Sequence, residues 1–352
     1  MSRARAFADA YGLRVPILLA PMAGACPASL SIAVANGGGM GACGVLMMSR
    51  EQIAGWVREM RSGSNGAFQL NTWIPDSDPE RNPDRERSVR EFLSNWGPEV
   101  SEDAAESPTP DFTGQCEAML DAGPAVISSI MGLYPPDFVS RMKREKIRWF
   151  ATATTVAEAV MAEQAGADVI VAQGMEAGGH RGAFHAAGAE RNMVGLFSLV
   201  PAIADAVRVP VVATGGIADA RGVSAALLLG ASAVQIGTGF LRAPEAMLPS
   251  AWADALAGAA PEDTVVTRAF SGRPGRSIRT DYAVAATSSD APAPAPYPIQ
   301  RHLTQAMRSE AAKSNDPAGI QAWAGQSARL APAASATDTI VELWEGAKSI
   351  LD

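Results

Sequence analysis

Ten consecutive residues, Gln173-Gly174-Met175-Glu176-Ala177-Gly178-Gly179-His180-Arg181-Gly182, bring an amide, an acid, an imidazole and a guanidinium together among glycines. They follow Ala167-Asp168-Val169-Ile170-Val171-Ala172, a largely apolar run of strand length. A strand that delivers such a set into a glycine-rich loop reads as the rim of an active site. Glycine lets the backbone bend sharply and lets a flat ligand approach it closely. His180 is one of three histidines and the one that sits in this loop, which makes it the first candidate for a catalytic base. An imidazole titrates near physiological pH, so it can take a proton from an acidic carbon or orient an anion. The competing reading is a loop histidine bonded to a backbone carbonyl. Glu176 reads as an orienting group. Arg181 reads as an anion binder or a solvent-facing charge, and His185 is a weaker candidate.

Two further glycine loops follow buried-type strands. They are Thr214-Gly215-Gly216 and Gly237-Thr238. In a parallel barrel these would be neighbours, and their N–H groups with a short helix N-terminus form a natural phosphate site. A phosphate held by backbone dipoles suits the tail of a cofactor such as FMN; the plainer reading is two tight turns. No GxGxxG follows the first strand and no GxxxxGK[ST] occurs, so dinucleotide-fold and P-loop readings lack a motif. Asn71 and Gln173 end strands and carry amides that both donate and accept, which suits the edge of a flavin pyrimidine ring. Taken singly, either amide reads equally as a loop cap. Met22 reads as a neighbour of the ring or as core packing, and Gln235 points from the last strand, where a structural role is the alternative. No HExxH, no cysteine near His180 and no G-x-S-x-G elbow around Ser271 or Ser327 is present, so a metal site and a serine hydrolase are both poorly supported.

These loops need a scaffold that brings the ends of several strands to one mouth. Strand-like runs recur at 16–20, 37–44, 67–71, 125–129, 147–151, 168–172, 209–213 and 233–236, alternating with helical segments. The runs are apolar on both faces, as a parallel sheet requires when one face meets helices and the other a packed interior. The expected fold is α/β, a TIM-type (β/α)8 barrel with a smaller, mostly helical second domain; an open doubly wound sheet is the alternative. The barrel would span 1–245, begun by a bottom-closing helix in 1–15. A proline-rich, charged insertion at about 73–112, with a helix near 84–96, would act as a lid, a substrate wall or a solvated excursion. Residues 246–330 would form the substrate-side helical domain with irregular loops, Phe270–Ser277 among them. Residues 331–352 would be a helix packing back on the barrel.

The chain has 352 residues, 47% of them hydrophobic, with a net charge of -8. That supports a large core and disfavours a nucleic-acid partner. The scattered cysteines Cys26, Cys43 and Cys116 argue for a reducing compartment, and no apolar stretch reaches membrane-spanning length. A cytoplasmic protein without a membrane partner is expected, monomeric or homodimeric.

Pro16-Ile17-Leu18-Leu19-Ala20-Pro21-Met22-Ala23-Gly24, the Gln173–Gly182 stretch, Ala213-Thr214-Gly215-Gly216-Ile217 and Gly230-Ala231-Ser232-Ala233-Val234-Gln235-Ile236-Gly237-Thr238 together resemble the nitronate monooxygenase family. The resemblance covers about residues 10–245 well and the remainder more loosely. It implies a non-covalently bound FMN and oxidation of alkyl nitronates by dioxygen to carbonyl compounds and nitrite. Met22, Asn71, Gln173, Gly215, Gly216, Gly237 and Thr238 would surround FMN, with Gly178, Gly179 and Gln235 completing that set. His180 would be the base, needed where a neutral nitroalkane is the substrate. The family often carries a Phe-His-Phe-Gly-like segment after strand four, where this chain has Ser129-Ile130-Met131-Gly132. The pocket is therefore expected to be more apolar there. The rival reading is a related FMN barrel that uses NAD(P)H, of the enoyl-acyl-carrier reductase kind.

Overall fold

A computed structural model describes residues 1–106 and 111–352. The eight expected barrel strands are present. Six come first: β1 (Ile17–Leu19), β2 (Gly41–Gly44), β3 (Phe68–Trp73), β4 (Val126–Ile130), β5 (Arg148–Ala153) and β6 (Val169–Gln173). A two-residue strand, β7 (Gly179–His180), then leaves the barrel before β8 (Val211–Thr214) and β9 (Ala233–Ile236) complete it. The barrel strands run parallel in the order β1-β9-β8-β6-β5-β4-β3-β2. A parallel bridge between Leu18 and Met40 joins β1 to β2 and closes the ring.

Alternation along each strand decides what fills this ring. Leu18, Met40, Val126, Phe150, Val169, Val171, Val212 and Ala233 point inward at the lower end. Phe7, Ala8 and Leu13 pack beneath them, in and just after the helix Ser2–Ala10. The opposite faces carry Ile17, Leu19, Ile127, Ala151, Ile170, Ala172, Ala213 and Val234, which pack on the surrounding helices. Two residues further along the inward face the chemistry changes. Asn71 sits opposite Ser128, and Gln173 opposite Thr214, which is itself opposite Gln235. The sequence thus builds an apolar plug below and a polar mouth above within the same strands.

After the barrel, the helices Ser250–Gly258, Asp281–Ala285, Ile299–Leu303 and Gln305–Ser314 accompany a hairpin, β10 (Thr264–Thr267) and β11 (Gly275–Ile278). β11 pairs antiparallel with β7, with Gly275 opposite His180 and Arg276 opposite Gly179. The stretch Phe270–Ser277, expected as a loop, is therefore part strand, and that strand holds the histidine loop. The run Thr264-Val265-Val266-Thr267 was the local signal for it, since β-branched residues favour strands.

The expected insertion at 73–112 includes 107–110, which lie outside the described residues. Its helix Pro83–Leu93 and Ala105 pack through Val89, Leu93 and Ala105 on Phe270, Tyr282, Ile299, Leu303 and Met307. The last helix, Ala336–Leu351, lies on the helices Ala28–Asn36 and Ala220–Leu228. Its Ile340 comes so close to Gly37 and Gly39 that a side chain at either glycine would collide with it.

Candidate functional site

The polar mouth opens into a cavity of about 550 Å³. His180 and the ten residues expected to bind the cofactor all line it: Met22, Asn71, Gln173, Gly178, Gly179, Gly215, Gly216, Gln235, Gly237 and Thr238. His185, by contrast, is exposed and does not line it. The volume lies within the range of sites that enclose a cofactor or a small ligand.

His180 is half-buried, with its ring against two indoles. Trp73 meets it edge to face at 4.6 Å between centroids, and Trp323 lies at 4.8 Å. Its Nε2 lies 2.7 Å from Ser271 Oγ, whose hydroxyl also reaches Arg273 O at 3.2 Å. Burial, and next the guanidinium groups of Arg301, Arg273 and Arg308, push its pKa down to about 3. The ring is therefore neutral at physiological pH.

The loop that carries His180 is fixed by its own polar residues. Gln173 Nε2 donates to His180 O at 3.1 Å, and Gln173 Oε1 accepts from Gly182 N at 2.8 Å. Glu176 uses both carboxylate oxygens to accept from Leu196 N, at 2.9 and 3.0 Å. It thus stabilises the N-terminus of the helix Leu196–Ala206. Arg181 takes neither of the roles expected for it. It is buried and donates to Gly174 O at 2.6 Å and more weakly to Gln173 O, bracing its own loop. Burial pushes its pKa down to about 10. Sequence placed a charge there but could not show that it would turn inward onto the carbonyls of its own loop.

Bare backbone forms much of the cofactor-sized wall. Gly215 and Gly216 have φ of +113° and +69°, a turn that side chains adopt only with strain. A Cβ on Gly178 would lie 2.5 Å from the backbone of Ala324 and Gly325. Thr238 Oγ1 accepts from Gly325 N at 3.0 Å, and Ser327 Oγ donates to Gly216 O at 2.6 Å. The turn at 325–327, which sequence did not single out, thus joins the glycine loops after β6, β8 and β9. At Gly179 (φ +71°) and Gly24 (φ +81°) nothing lies within 4 Å of where a Cβ would project, so backbone faces open space. Bare backbone of this kind, with the neutral amides of Asn71 and Gln235, fits a flat ring system and a phosphate tail. Met22 has its N–H engaged by Cys26 Sγ at 3.3 Å, which leaves its side chain for the cavity. Cys26 is buried and its pKa is pushed up to about 12, so that thiol is structural.

After β4, Ile130 lines the cavity, and Met131 holds a left-handed backbone (φ +71°) with its N–H on Gly182 O. The segment without a histidine thus touches the site through an aliphatic side chain. Of the described residues at 73–112, only Trp73 reaches the cavity; Asp76 contributes by pairing with the buried Arg273 through two contacts of 2.7 Å. Asp76→Ala is expected to leave Arg273, 2% exposed, without its carboxylate. We expect a loss of about 2 kcal/mol in urea unfolding, below the range for a fully enclosed pair because Asp76 is partly hydrated.

Trp73, Trp323, Ser271, Arg301 and Arg308 were not assigned from sequence. Trp73 was within reach, since it follows Gln69 and Asn71 at strand period on one face. The others come from segments without periodicity, joined to the site only by tertiary packing.

Comparison with known proteins agrees with this geometry. The family model described as nitronate monooxygenase matches residues 6–346. The chain is 34% identical to the nitronate monooxygenase of Paraburkholderia phytofirmans, covering 99% of this chain and 96% of the relative. It is 35% identical to a probable nitronate monooxygenase of Staphylococcus aureus, over 91% and 90% of the two. Among solved structures, nitroalkane oxidase from Streptomyces ansochromogenes superposes with a TM-score of 0.89 at 30% identity, covering 97% of this chain and 98% of that one. FabK from Thermotoga maritima superposes with 0.77 at 25% identity, over 98% and 96%. Among the described residues no helix is long and apolar enough to cross a membrane. A (β/α)8 barrel whose polar mouth gathers glycine turns around one histidine, matched over nearly its whole length, places this chain in the nitronate monooxygenase family of flavin-dependent oxidoreductases.

Proposed function

We propose that the protein binds FMN and oxidises alkyl nitronates with dioxygen to carbonyl compounds and nitrite, with His180 as the base when the substrate is a neutral nitroalkane. The observation that carries this reading is the cavity itself. It joins three glycine turns, suited to a phosphate and a flat ring, to a histidine held neutral between two indoles. Gly215, Gly216, Gly237 and Thr238 would hold the phosphate, while Met22, Asn71, Gln173, Gly178, Gly179 and Gln235 would border the ring. When bound, FMN supplies redox chemistry that no side chain offers, accepting electrons from the substrate and passing them to dioxygen.

The chain's own part is proton handling and exclusion of water. The Ser271 hydroxyl has one proton. If that proton goes to Arg273 O, the ring donates from Nε2 and leaves Nδ1 with the lone pair that takes a proton from carbon. The observed distances of 2.7 and 3.2 Å allow this chain. Trp73 and Trp323 cover the ring and keep it dry. A nitronate is already deprotonated and bypasses the proton step. A reductase using NAD(P)H is the second reading, favoured by the superposition on FabK.

The test is to follow nitrite release and oxygen uptake with propyl-2-nitronate and 2-nitropropane from pH 5 to 9. Nitrite should form with both substrates. Because burial and the neighbouring guanidinium groups push the His180 pKa down to about 3, the ring is expected to be unprotonated throughout this range, so kcat/KM for 2-nitropropane should show no acid limb near pH 6.5. An acid limb centred there would contradict the neutral, enclosed histidine. Absence of nitrite would contradict the activity.

A further inference from the structure

Aromatic residues make up only 6% of this chain, yet three of its seven tryptophans, Trp73, Trp252 and Trp323, line one cavity. They come from three separate segments: the end of β3, the helix Ser250–Gly258 and an irregular stretch before the last helix. Aliphatic side chains would suffice to keep a histidine dry or to receive a simple alkyl group. Indoles add flat faces of negative potential, which favour the edge of another aromatic ring or an offset stack.

Each indole is held by a partner other than the histidine. Trp73 packs on Tyr297 at 5.2 Å between centroids, and Trp323 meets Phe270 edge to face at 5.4 Å. Trp252 donates from Nε1 to Trp323 O at 3.2 Å. Gly275, opposite His180 in the pairing of β11 with β7, makes room for Trp323: a Cβ there would lie 2.9 Å from two carbons of its ring. The indoles thus form a fixed wall that leads from His180 to Trp252.

The place of this wall says which part of a substrate meets it. The rings of Trp73 and Trp323 lie 4.6 and 4.8 Å from that of His180, so a group attached to the carbon that His180 deprotonates starts beside them. The flavin is assigned to the glycine turns and the amides of Asn71 and Gln235, which leaves the indoles to the substrate. Arg301, on which no carboxylate acts, lines the same cavity, and a guanidinium favours the face of an aromatic ring.

Building on the nitronate reading, we infer that the substrate carries an aromatic ring one or two carbons from its nitro-bearing carbon, and that Trp73, Trp252 and Trp323 form the seat of that ring.

The test compares (2-nitroethyl)benzene with (2-nitroethyl)cyclohexane. Both are neutral and share one carbon skeleton. The cyclohexyl compound has the more apolar surface, so burial alone would favour it. Calorimetric binding of the two nitro compounds to the FMN-loaded protein and turnover of their nitronates are both measured, for wild type, Trp252→Leu and Trp252→Phe. The phenyl compound should bind at least fivefold more tightly to wild type. Trp252→Leu should remove most of that preference, and Trp252→Phe should restore part of it. Trp73→Leu is the second variant, with unfolding midpoints as the control for both. Equal binding, or a preference for the cyclohexyl compound, overturns the inference; if both nitronates are still oxidised, the nitronate reading survives without it. A phenyl preference that persists in both leucine variants with their folds intact also overturns it. If the preference is present but neither nitronate is oxidised, the nitronate reading fails and the seat stands. Displacement of the phenyl compound by NADH, with reduction of the flavin, would instead assign the seat to a nicotinamide ring and overturn the inference.

Discussion

His180→Ala is expected to lower kcat/KM for a neutral nitroalkane by about 10²–10⁴-fold, the usual worth of a positioned general base. The same variant should lose far less with the preformed nitronate, which has no proton to give up. This split separates a base from a residue that merely shapes the pocket, because loss of shape would lower both. The ring has few structural duties that could mask the result. Its side-chain hydrogen bond is to Ser271, and Trp73 and Trp323 remain to enclose the space it leaves. Steady-state rates for the two substrates, with unfolding midpoints as a control, decide it. Equal losses on both substrates would remove His180 from proton transfer.

Gly178→Ala is expected to have the largest effect on cofactor retention. Its Cβ would fall 2.5 Å from the backbone of Ala324 and Gly325, and backbone cannot swing aside as a flexible side-chain end can. The segment at 324–327 must move, and with it the contacts to Thr238 and Gly216 that tie the three glycine loops together. Overpacking of this kind costs about 1–3 kcal/mol. Because the strain falls on the wall assigned to FMN, affinity for the flavin should drop at least tenfold. The ratio of absorbance at the flavin band to that at 280 nm, measured after desalting, checks it. Full retention of flavin would mean that FMN does not lie against this seam.

The barrel was legible because its strands obey two rules at once: apolar runs of strand length and helices ended by glycine at regular spacing. Ala165-Gly166-Ala167 and Leu229-Gly230-Ala231 mark such joints, and both lead into barrel strands. The glycine loops were legible for a related reason, since positive φ at Gly179, Gly215 and Gly216 demands that residue type. The mouth's outer wall was not. Arg301 and Arg308 lie seven residues apart across two short helices, Ile299–Leu303 and Gln305–Ser314, and face the cavity only because the pieces after the barrel fold over it. Trp323 sits in an irregular segment whose position is set by β11, through the bridge from Ser277 to Trp323. Short pieces without a hydrophobic period carry little local information, and their placement comes from packing. Arg181 is the instructive case. A guanidinium in a loop suggests an anion or solvent, yet this one is buried and braces its own loop through Gly174 O and Gln173 O.

The central claim is tested most directly by loading the protein with FMN and adding propyl-2-nitronate or NADPH in the absence of oxygen. The account predicts that the nitronate changes the flavin spectrum promptly and that nitrite appears once oxygen is admitted. It predicts little response to NADPH. Rapid bleaching by NADPH, with no response to the nitronate and no nitrite, would contradict it and assign the cavity to a reductase.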